Sequence, residues 1–333
     1  GMDSLRESIA GWLTRRFKLA DTVIDPSHHV LPVNGTREAL FAFAQAVIDG
    51  SSQPYMLMPN PFYQIYEGAA LLAGAQPWFL NTTRESGLLP DFDAVPDAIW
   101  ERCQLLYICT PGNPTGAVIP ATTLQQLIEL ADRHDFVIAS DECYSEIYRD
   151  GDTPPTGLLQ AAAVLGHDDY RRCVVFHSLS KRSNAPGLRS GFVAGDAKIM
   201  KDFLRYRTYH GCAMPPATQA ASIRAWQDEA HVAANRTLYT QKFDAVLDIL
   251  APLLDVQPPD AGFYLWAHTP LDDTDFAREL LAQQNVVVLP GSFLSRPVDG
   301  NNPGKDYVRM ALVAAREDCI EAAERIKSYI VSR

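Results

Sequence analysis

The sequence predicts an α/β fold, in which a large, mainly parallel sheet domain flanked by helices precedes a smaller α+β domain. Short apolar runs alternate with amphipathic helical stretches through the first part of the chain, as in sheets built from strand–helix–strand units. These runs are continuously apolar rather than alternating, which indicates strands buried on both faces. At 333 residues, the chain is long enough for two domains. We place them at 1–234 and 235–333, with the boundary near Ala234 inside a helical region.

The individual elements follow, in chain order, from apolar periodicity and turn residues. Ser4-x-x-Glu7 has the pattern of a capping box, which predicts the start of an N-terminal helix. Strands are predicted at 55–58, 77–80, 105–109, 136–139, 174–176 and 191–194, with helical stretches at 36–48, 66–72 and 124–134. A long helical region follows Asp196 and extends to about Leu254, with a break at Pro215-Pro216. The smaller domain has strands predicted at 263–267, 286–289 and 307–312, separated by helices.

Charge and composition argue against several classes of protein. Lys and Arg number 29 against 40 Asp and Glu, so the formal net charge of −11 disfavours nucleic acid or an anionic membrane as the main partner. No apolar run approaches a membrane span, and the N-terminus lacks a signal-peptide pattern. The histidines form no cluster of metal-ligand spacing, so we predict no metal site. The cysteines lack C-x-x-C spacing, and we expect reduced thiols in a cytoplasmic protein; they are Cys103, Cys109, Cys143, Cys173, Cys212 and Cys319.

The most informative segment surrounds Lys181. The apolar run at 174–176 leads to Ser178, the lysine follows three residues later, and Arg189 lies eight residues beyond it. A lysine on such a turn can form a Schiff base with an aldehyde cofactor, while the serine hydroxyl and the guanidinium hold its phosphate. A solvated lysine in a polar loop is the alternative, and this segment alone does not exclude it.

A second segment opens the predicted helix at 36–48. Gly35 and Thr36 stand at its start, where free backbone N–H groups and the helix dipole point outward together. Such a helix start favours an anion. Taken alone, the segment is explained more simply by an ordinary N-capped helix.

Two further segments each follow a predicted strand. TPGNPTG at 110–116 forms a rigid loop, and the side-chain amide of Asn113 can donate a hydrogen bond to a phenolic oxygen. In SDECY at 140–144, Asp141 can keep a pyridine nitrogen protonated, and Tyr144 follows three residues later. A ligand-free turn and a helix-capping aspartate are the alternatives for these two segments.

Together and in this order, these segments resemble the class I/II aminotransferases of the fold-type I pyridoxal 5'-phosphate (PLP) enzymes, over essentially the whole chain. The resemblance implies the PLP-dependent transferase fold of type I, PLP as cofactor, amino acid and 2-oxo acid substrates, and a homodimer. It implies that Lys181 forms the Schiff base and shuttles the proton, that Asp141 pairs with the ring nitrogen, and that Tyr144 bonds the phenolic oxygen. Further cofactor contacts are implied for Asn113 at the same oxygen and, at the phosphate, for Ser178, Arg189 and the backbone amides of Gly35, Thr36 and Arg37.

The same resemblance assigns two more residues. Tyr63, in PFYQIY at 61–66, matches the aromatic residue that stacks on the pyridine ring; the alternative is a plain core aromatic. Arg309, in YVRMAL at 307–312, matches the arginine that binds the substrate α-carboxylate bidentately, with Asn113 also on the substrate side. A surface arginine on an edge strand is the alternative for Arg309.

Three stretches resemble one particular group of enzymes within the family. NPFYQIYEG at 60–68, DECYSEIY at 141–148 and SKRSNAPGLRSGF at 180–192 look like bacterial N-succinyldiaminopimelate aminotransferases. We therefore expect amino transfer between N-succinyl-LL-diaminopimelate and 2-oxoglutarate, a reaction of lysine biosynthesis. The alternatives are an aminotransferase of another amino acid, a carbon–sulfur β-lyase, a PLP-binding sensor and an inactive truncated protein.

The start of the sequence affects the activity that we expect. Residues 1–7 match a family segment that normally follows an N-terminal arm, and Gly1 before Met2 looks like a tag remnant. We expect that arm, with the N-terminal part of the small domain and a tyrosine reaching the partner's phosphate, to be absent. Reduced turnover is then expected, because closure over the substrate excludes water and completes the site.

Overall fold

The structure, a computed structural model, describes residues 1–20, 23–210 and 213–333. The strands in these ranges are β1 Val30–Val33, β2 Tyr55–Asn60, β3 Gln76–Asn81, β4 Cys103–Cys109, β5 Val137–Asp141, β6 Cys173–Ser178, β7 Gly191–Gly195, β8 Tyr264–His268, β9 Leu289–Pro290 and β10 Tyr307–Ala311. The helices are α1 Asp3–Phe17, α2 Thr36–Val47, α3 Ile65–Ala73, α4 Asp97–Trp100, α5 Ala121–His134, α6 Leu158–Val164, α7 Leu179–Arg182, α8 Ala197–His210, α9 Pro216–Gln227, α10 Ala230–Leu250, α11 Asp273–Gln284 and α12 Arg316–Val331.

The larger sheet has seven strands in the order β1-β7-β6-β5-β4-β2-β3. Strands β2 to β6 pair in parallel, whereas β7 is antiparallel to both of its neighbours. The carboxyl ends of β1, β2, β4, β5 and β6 therefore lie at one edge of the sheet, the position where open α/β sheets bind ligands. The predicted α/β class, with a mainly parallel sheet flanked by helices, is confirmed.

Helices cover both faces of this sheet, which explains the continuously apolar strands. On one face, α1, α5 and α6 pack over alternate strand residues such as Leu106 and Ile108. On the other face, α2, α3 and α8 pack over the intervening residues, including Leu105 and Tyr107. Each strand residue thus removes apolar surface from water on one side or the other, and the strand ends are held rigidly.

The smaller sheet is antiparallel, in the order β8-β10-β9, and packs with α10, α11 and α12 around a separate core. The strands predicted at 263–267 and 307–312 are present, whereas the one predicted at 286–289 is reduced to Leu289–Pro290. The helix α10 runs without interruption through Ala234, the predicted domain boundary. The division at that residue stays a prediction.

The capping-box prediction for the first helix was wrong. The helix begins one residue before Ser4, at Asp3, and its N-cap residue Met2 makes no side-chain cap bond. The backbone N–H of Met2 donates instead to Gln219 Oε1 at 2.7 Å, so contact with α9 fixes where the helix starts. Ser4 therefore lies inside the first turn, where it cannot act as the cap.

Other predicted features have mixed outcomes. The break at Pro215-Pro216 is confirmed because Pro216 is the first residue of α9, but the helical region ends at Leu250 rather than near Leu254. Strand β1 was not predicted. Free thiols are found at the buried residues Cys103, Cys109, Cys143, Cys173 and Cys319, whereas Cys212 lies outside the described residues. Among the described helices, none combines the length and apolarity needed to cross a bilayer.

Candidate active site

A cavity of about 600 Å³ opens at the carboxyl edge of the larger sheet and extends to the smaller sheet. Every residue predicted for the site lines it except Gly35, which lies behind Arg189. These lining residues are Thr36, Arg37, Tyr63, Asn113, Asp141, Tyr144, Ser178, Lys181, Arg189 and Arg309. They are far apart in sequence, and the strand order brings them together because the segments that follow β1, β2, β4, β5 and β6 share this edge.

Asp141 is the last residue of β5 and is only 5% exposed. Its Oδ2 accepts a hydrogen bond from the Tyr66 hydroxyl at 2.8 Å, and its Oδ1 accepts one from the backbone N–H of Cys143 at 3.3 Å. Burial raises the pKa of Asp141, while these two hydrogen bonds lower it. The residue is thus a buried carboxyl group aimed into the cavity rather than the cap of a regular helix.

Lys181 lies in α7, the short helix that follows β6, and its side chain is half-buried. Its Nζ is 5.8 Å from the centre of the Tyr144 ring and 5.2 Å from that of Phe263. Burial lowers the pKa of Lys181; Cys143 and Asp141 oppose this, Arg309 and Arg189 add to it, and the net shift is downward. The neutral, nucleophilic amine is therefore more accessible here than on a solvated lysine, which argues against the polar-loop alternative.

The start of α2, with Arg189 beside it, forms a cradle for an anion. Gly35 is the N-cap residue, with φ 85° and ψ 151°, and no side chain caps the helix. A Cβ at this position would lie 2.2 Å from Nη2 of Arg189, so only glycine permits the guanidinium to approach. Among the described residues no side chain caps this helix start, so its first-turn N–H groups remain available to an anion beside the guanidinium, which disfavours the alternative of an ordinary N-capped helix.

Ser178, the last residue of β6, lines the same cavity as this cradle. Its hydroxyl accepts from the backbone N–H of Ser180 at 3.0 Å and is 3.4 Å from the carbonyl oxygen of Ser190. The register pairs Ser178 with Gly191, so Arg189, two residues before that glycine, lies near the serine. A hydroxyl, a guanidinium and a helix N-terminus thus converge, as phosphate binding requires.

Arg309 reaches the cavity from the smaller sheet. Its strand, β10, is the central strand of that sheet, so the alternative of a surface arginine on an edge strand was wrong. Nη1 donates to Oδ1 of Asn113 at 2.8 Å, and the guanidinium lies 4.4 Å from the centre of the Tyr264 ring. Its Nε is buried and has no hydrogen-bond partner among the described residues. A buried donor of this kind costs free energy unless a ligand accepts from it, which favours an anionic ligand beside Arg309.

The sequence profile described as aminotransferase class I and II matches residues 1–326 of this chain. The chain belongs to the class I and II aminotransferases. Enzymes of this family depend on PLP, and they transfer an amino group between an amino acid and a 2-oxo acid. The predicted family, enzyme class, cofactor and general substrate type are therefore confirmed.

Relatives and solved structures agree with this membership. The LL-diaminopimelate aminotransferase of Syntrophobacter fumaroxidans is 33% identical over 332 residues, which cover 98% of this chain and 81% of that protein. The crystal structure of an aminotransferase from Neisseria meningitidis superposes with a TM-score of 0.93 at 49% identity, covering 99% of this chain and 83% of that one. A probable N-succinyldiaminopimelate aminotransferase from Thermus thermophilus gives a TM-score of 0.85 at 26% identity, covering 98% and 83% of the two chains.

The residues of this aminotransferase fit PLP on structural grounds. A buried carboxyl group, an amine of lowered pKa and an anion cradle line one cavity, and these are the kinds of group that a pyridine nitrogen, an aldehyde and a phosphate require. Tyr63 lines the cavity, and its hydroxyl accepts from Nε of Arg37 at 2.5 Å. Its ring meets that of Tyr66 edge to face, with centroids 5.8 Å apart, so it is packed in place and also borders the cavity.

Sequence reasoning missed two tyrosines of this aminotransferase site. Tyr66, on α3, hydrogen-bonds Asp141, and Tyr264, on β8, lines the cavity with its hydroxyl 3.1 Å from that of Tyr144. Tyr264 stands in the apolar run 263–267 and Tyr66 at the start of a predicted helical stretch, and at both places an aromatic residue usually belongs to the core. One chemical argument could have drawn attention to them: the hydroxyl group of a buried tyrosine needs a hydrogen-bond partner.

One acidic cluster lies outside the cavity, in the smaller sheet's domain. Oxygen atoms of Asp272, Asp273 and Asp306 lie within 4.8 Å of one another. The Asp273 carboxylate accepts from the backbone N–H of Ser292 at 2.8 Å and from that of Asp306 at 3.3 Å. These bonds explain the cluster as a local fold contact.

Proposed function

We propose that the cavity binds PLP, with the ring nitrogen at Asp141 and the ring against Tyr63. The proposal is supported by a buried acid and an anion cradle that line the same cavity, which match the ring nitrogen and the phosphate of the cofactor. The remaining contacts are assigned to the phenolic oxygen for Asn113 and Tyr144, and to the phosphate for Ser178, Arg189 and the backbone amides of Gly35, Thr36 and Arg37.

The chemistry of amino transfer divides between the cofactor and this chain. Bound PLP supplies an electron sink that stabilises negative charge at the substrate α-carbon. Asp141 holds a proton at the ring nitrogen, and Arg309 orients the substrate through its carboxylate. Lys181 Nζ, whose pKa burial lowers, removes the proton from the α-carbon and returns a proton in the reverse direction.

The covalent role of Lys181 can be tested without measuring activity. The protein with PLP is reduced with borohydride, digested and analysed by mass spectrometry. We expect the cofactor on the peptide that contains Lys181, no labelled peptide from Lys181→Ala, and unchanged labelling of the matched variant Lys198→Ala, which alters an exposed lysine. Labelling at another lysine in the wild-type protein overturns the assignment.

For the amino donor, we propose N-succinyl-LL-diaminopimelate, with 2-oxoglutarate as acceptor, which places the enzyme in lysine biosynthesis. The sequence stretches around Tyr63, Asp141 and Lys181 support this choice, and so does the likeness to the Thermus thermophilus structure. The cavity wall carries Arg37 and Arg309 in a protein of net charge −11, which favours substrates with more than one carboxylate.

Free LL-diaminopimelate is the second candidate, because relatives about 30% identical over nearly the whole chain are named LL-diaminopimelate aminotransferases. A donor panel with 2-oxoglutarate discriminates the two by kcat/KM. We expect the succinylated donor to exceed the free one; the reverse result replaces the proposal with the second candidate. Ornithine derivatives and aromatic amino acids test other donors, and release of pyruvate and ammonia from cystathionine without a 2-oxo acid identifies a β-lyase.

We further propose a cytoplasmic homodimer with a cofactor-binding domain at 1–234 and a small domain at 235–333. The family resemblance supports the dimer, and the separate cores of the two sheets support the division. Light scattering coupled to size-exclusion chromatography tests the dimer, and a monomer at micromolar concentration in the presence of PLP contradicts it.

A further inference from the structure

Tyr264 connects the two sides of the cavity. It is the first residue of β8, in the smaller sheet, and its side chain is buried. Its hydroxyl oxygen lies 3.1 Å from that of Tyr144, which follows β5 of the larger sheet. On its ring face, the guanidinium of Arg309 lies 4.4 Å from the ring centre. One side chain thus contacts both a residue assigned to the cofactor and the residue assigned to the substrate carboxylate.

We infer that Tyr264 is a positioning residue, which makes Tyr144 a stronger hydrogen-bond donor to the cofactor and holds Arg309 in place for the substrate. This inference rests on the proposed placement of the cofactor's phenolic oxygen at Tyr144. It adds a residue that the family motifs in the sequence did not indicate.

The direction of the bond between the two hydroxyls follows from the cofactor. Burial raises the pKa of Tyr144 and of Tyr264, so both remain neutral phenols at working pH. Tyr144 then uses its single hydrogen to donate to the phenolic oxygen of the cofactor, and its own oxygen can only accept. The hydrogen between the two hydroxyls therefore belongs to Tyr264. Two hydrogen bonds in series polarise each other, so Tyr264 strengthens the donation by Tyr144.

The second contact of Tyr264, between its ring and the Arg309 guanidinium, affects substrate binding. A guanidinium over an aromatic face is held by the ring quadrupole, and the bond to Asn113 fixes the rotation of the same group. With these two contacts made, the buried Nε of Arg309 still has no acceptor in the part of the chain that the structure describes. The ring of Tyr264, rather than its hydroxyl, is responsible for this effect, so the two roles separate by substitution.

The test compares four variants loaded with PLP. Tyr264→Phe removes the hydroxyl and keeps the ring, and Tyr264→Leu removes both. Tyr144→Phe is the reference for loss of the bond to the cofactor. Tyr239→Phe is the matched control, because this buried tyrosine belongs to the same aromatic cluster and stacks on Phe263 outside the cavity. The readouts are the pH midpoint of the absorbance change of the bound cofactor and the KM for the amino donor.

We expect Tyr264→Phe to raise the pH midpoint, in the same direction as Tyr144→Phe but by less, with KM nearly unchanged. A weaker hydrogen bond to the phenolic oxygen of the cofactor leaves the neighbouring Schiff-base nitrogen of Lys181 more basic, so that nitrogen loses its proton at a higher pH. The charged or ionisable groups around this pair are Lys181, Arg309, Asp141 and Cys109, which all four variants retain. Tyr264→Leu is expected to raise KM by about 2- to 30-fold as well, from loss of the cation–π contact.

Each contrary result has a distinct meaning. An unchanged midpoint in Tyr264→Phe beside a shifted one in Tyr144→Phe overturns the inference and leaves the cofactor placement intact. An unchanged midpoint in Tyr144→Phe overturns both together. An equal shift in Tyr239→Phe also overturns the inference, because it assigns the effect to the cluster as a whole.

Discussion

Replacing Tyr66 by Phe is expected to weaken cofactor binding without disturbing the fold around it. The Tyr66 hydroxyl donates to Oδ2 of Asp141 at 2.8 Å, and both residues are buried, so water does not replace the lost donor. Burial raises the pKa of Asp141, and the bond from Tyr66 is one of the contacts that lower it. Without that bond, the carboxyl group stays protonated to a higher pH and pairs less well with a protonated ring nitrogen.

The magnitude follows from the kind of bond that is lost. A hydrogen bond to a charged group contributes about 1.5–3 kcal/mol; because the cofactor-free protein already has part of this bond, the expected loss of PLP affinity is about tenfold and at most about 150-fold. The sign of the pH effect is also fixed. The carboxylate form binds the cofactor, so affinity is present above the pKa of Asp141 and is lost as the pH falls through it. In Tyr66→Phe this loss moves to higher pH.

Tyr107→Phe is the matched control. Tyr107 is equally buried and stacks on Tyr66 with ring centroids 4.7 Å apart, but its hydroxyl donates to the carbonyl oxygen of Leu40. Both variants lose one buried hydroxyl, so similar losses of thermal stability are expected. Equilibrium titration of the cofactor-free proteins with PLP, followed by absorbance from pH 5 to 9, measures affinity. Equal affinities for the two variants at every pH refute the reasoning.

Three further predictions concern the substrate arginine, the anion cradle and the buried acid. Arg309→Lys is expected to raise KM for the amino donor about 10- to 100-fold, because lysine cannot bind a carboxylate bidentately, while the absorbance of bound PLP is unchanged; an unchanged KM contradicts the assignment. Gly35→Ala is expected to weaken PLP binding at least about tenfold, because its Cβ displaces the Arg189 guanidinium, whereas Gly187→Ala, with open space at the Cβ, leaves affinity as it is; titration of both decides. Asp141→Asn is expected to raise the melting temperature of the cofactor-free protein above about pH 4, because a carboxyl whose folded pKa is raised costs stability once the unfolded chain ionises; no gain at pH 8 relative to pH 3.5 contradicts this.

The sequence predicted those site residues that a motif of a few neighbouring residues makes recognisable. Lys181 and Asp141 each follow a continuously apolar strand, so their place at the sheet edge could be read from a few neighbouring residues. Tyr66 and Tyr264 could not be recognised, because their partners are 75 and 120 positions away in the chain. In sequence, each is one aromatic residue in a predicted helix or strand, and only the fold shows which polar atom its hydroxyl meets.

The same distinction explains the errors in the fold. Strand β1 is only four residues long and contains Pro32, so its pairing with β7 depends on a neighbour rather than on its own pattern. The start of α1 depends on a contact between Met2 and Gln219, which no local motif encodes. The boundary at Ala234 was hard to place because one helix passes through it.

The reversed direction of β7 has a consequence for the spacing of two cations in the connection that leads to it from β6. A parallel strand would need a long crossover connection before the chain came back to the same edge, but an antiparallel partner lets the chain return within a short loop. Lys181 and Arg189 therefore lie in one short connection, and its length fixes the distance between the residue proposed to bind the cofactor covalently and the residue proposed to bind its phosphate. Insertions are tolerated in many loops, but one added residue between these positions is expected to uncouple the two ends of the cofactor.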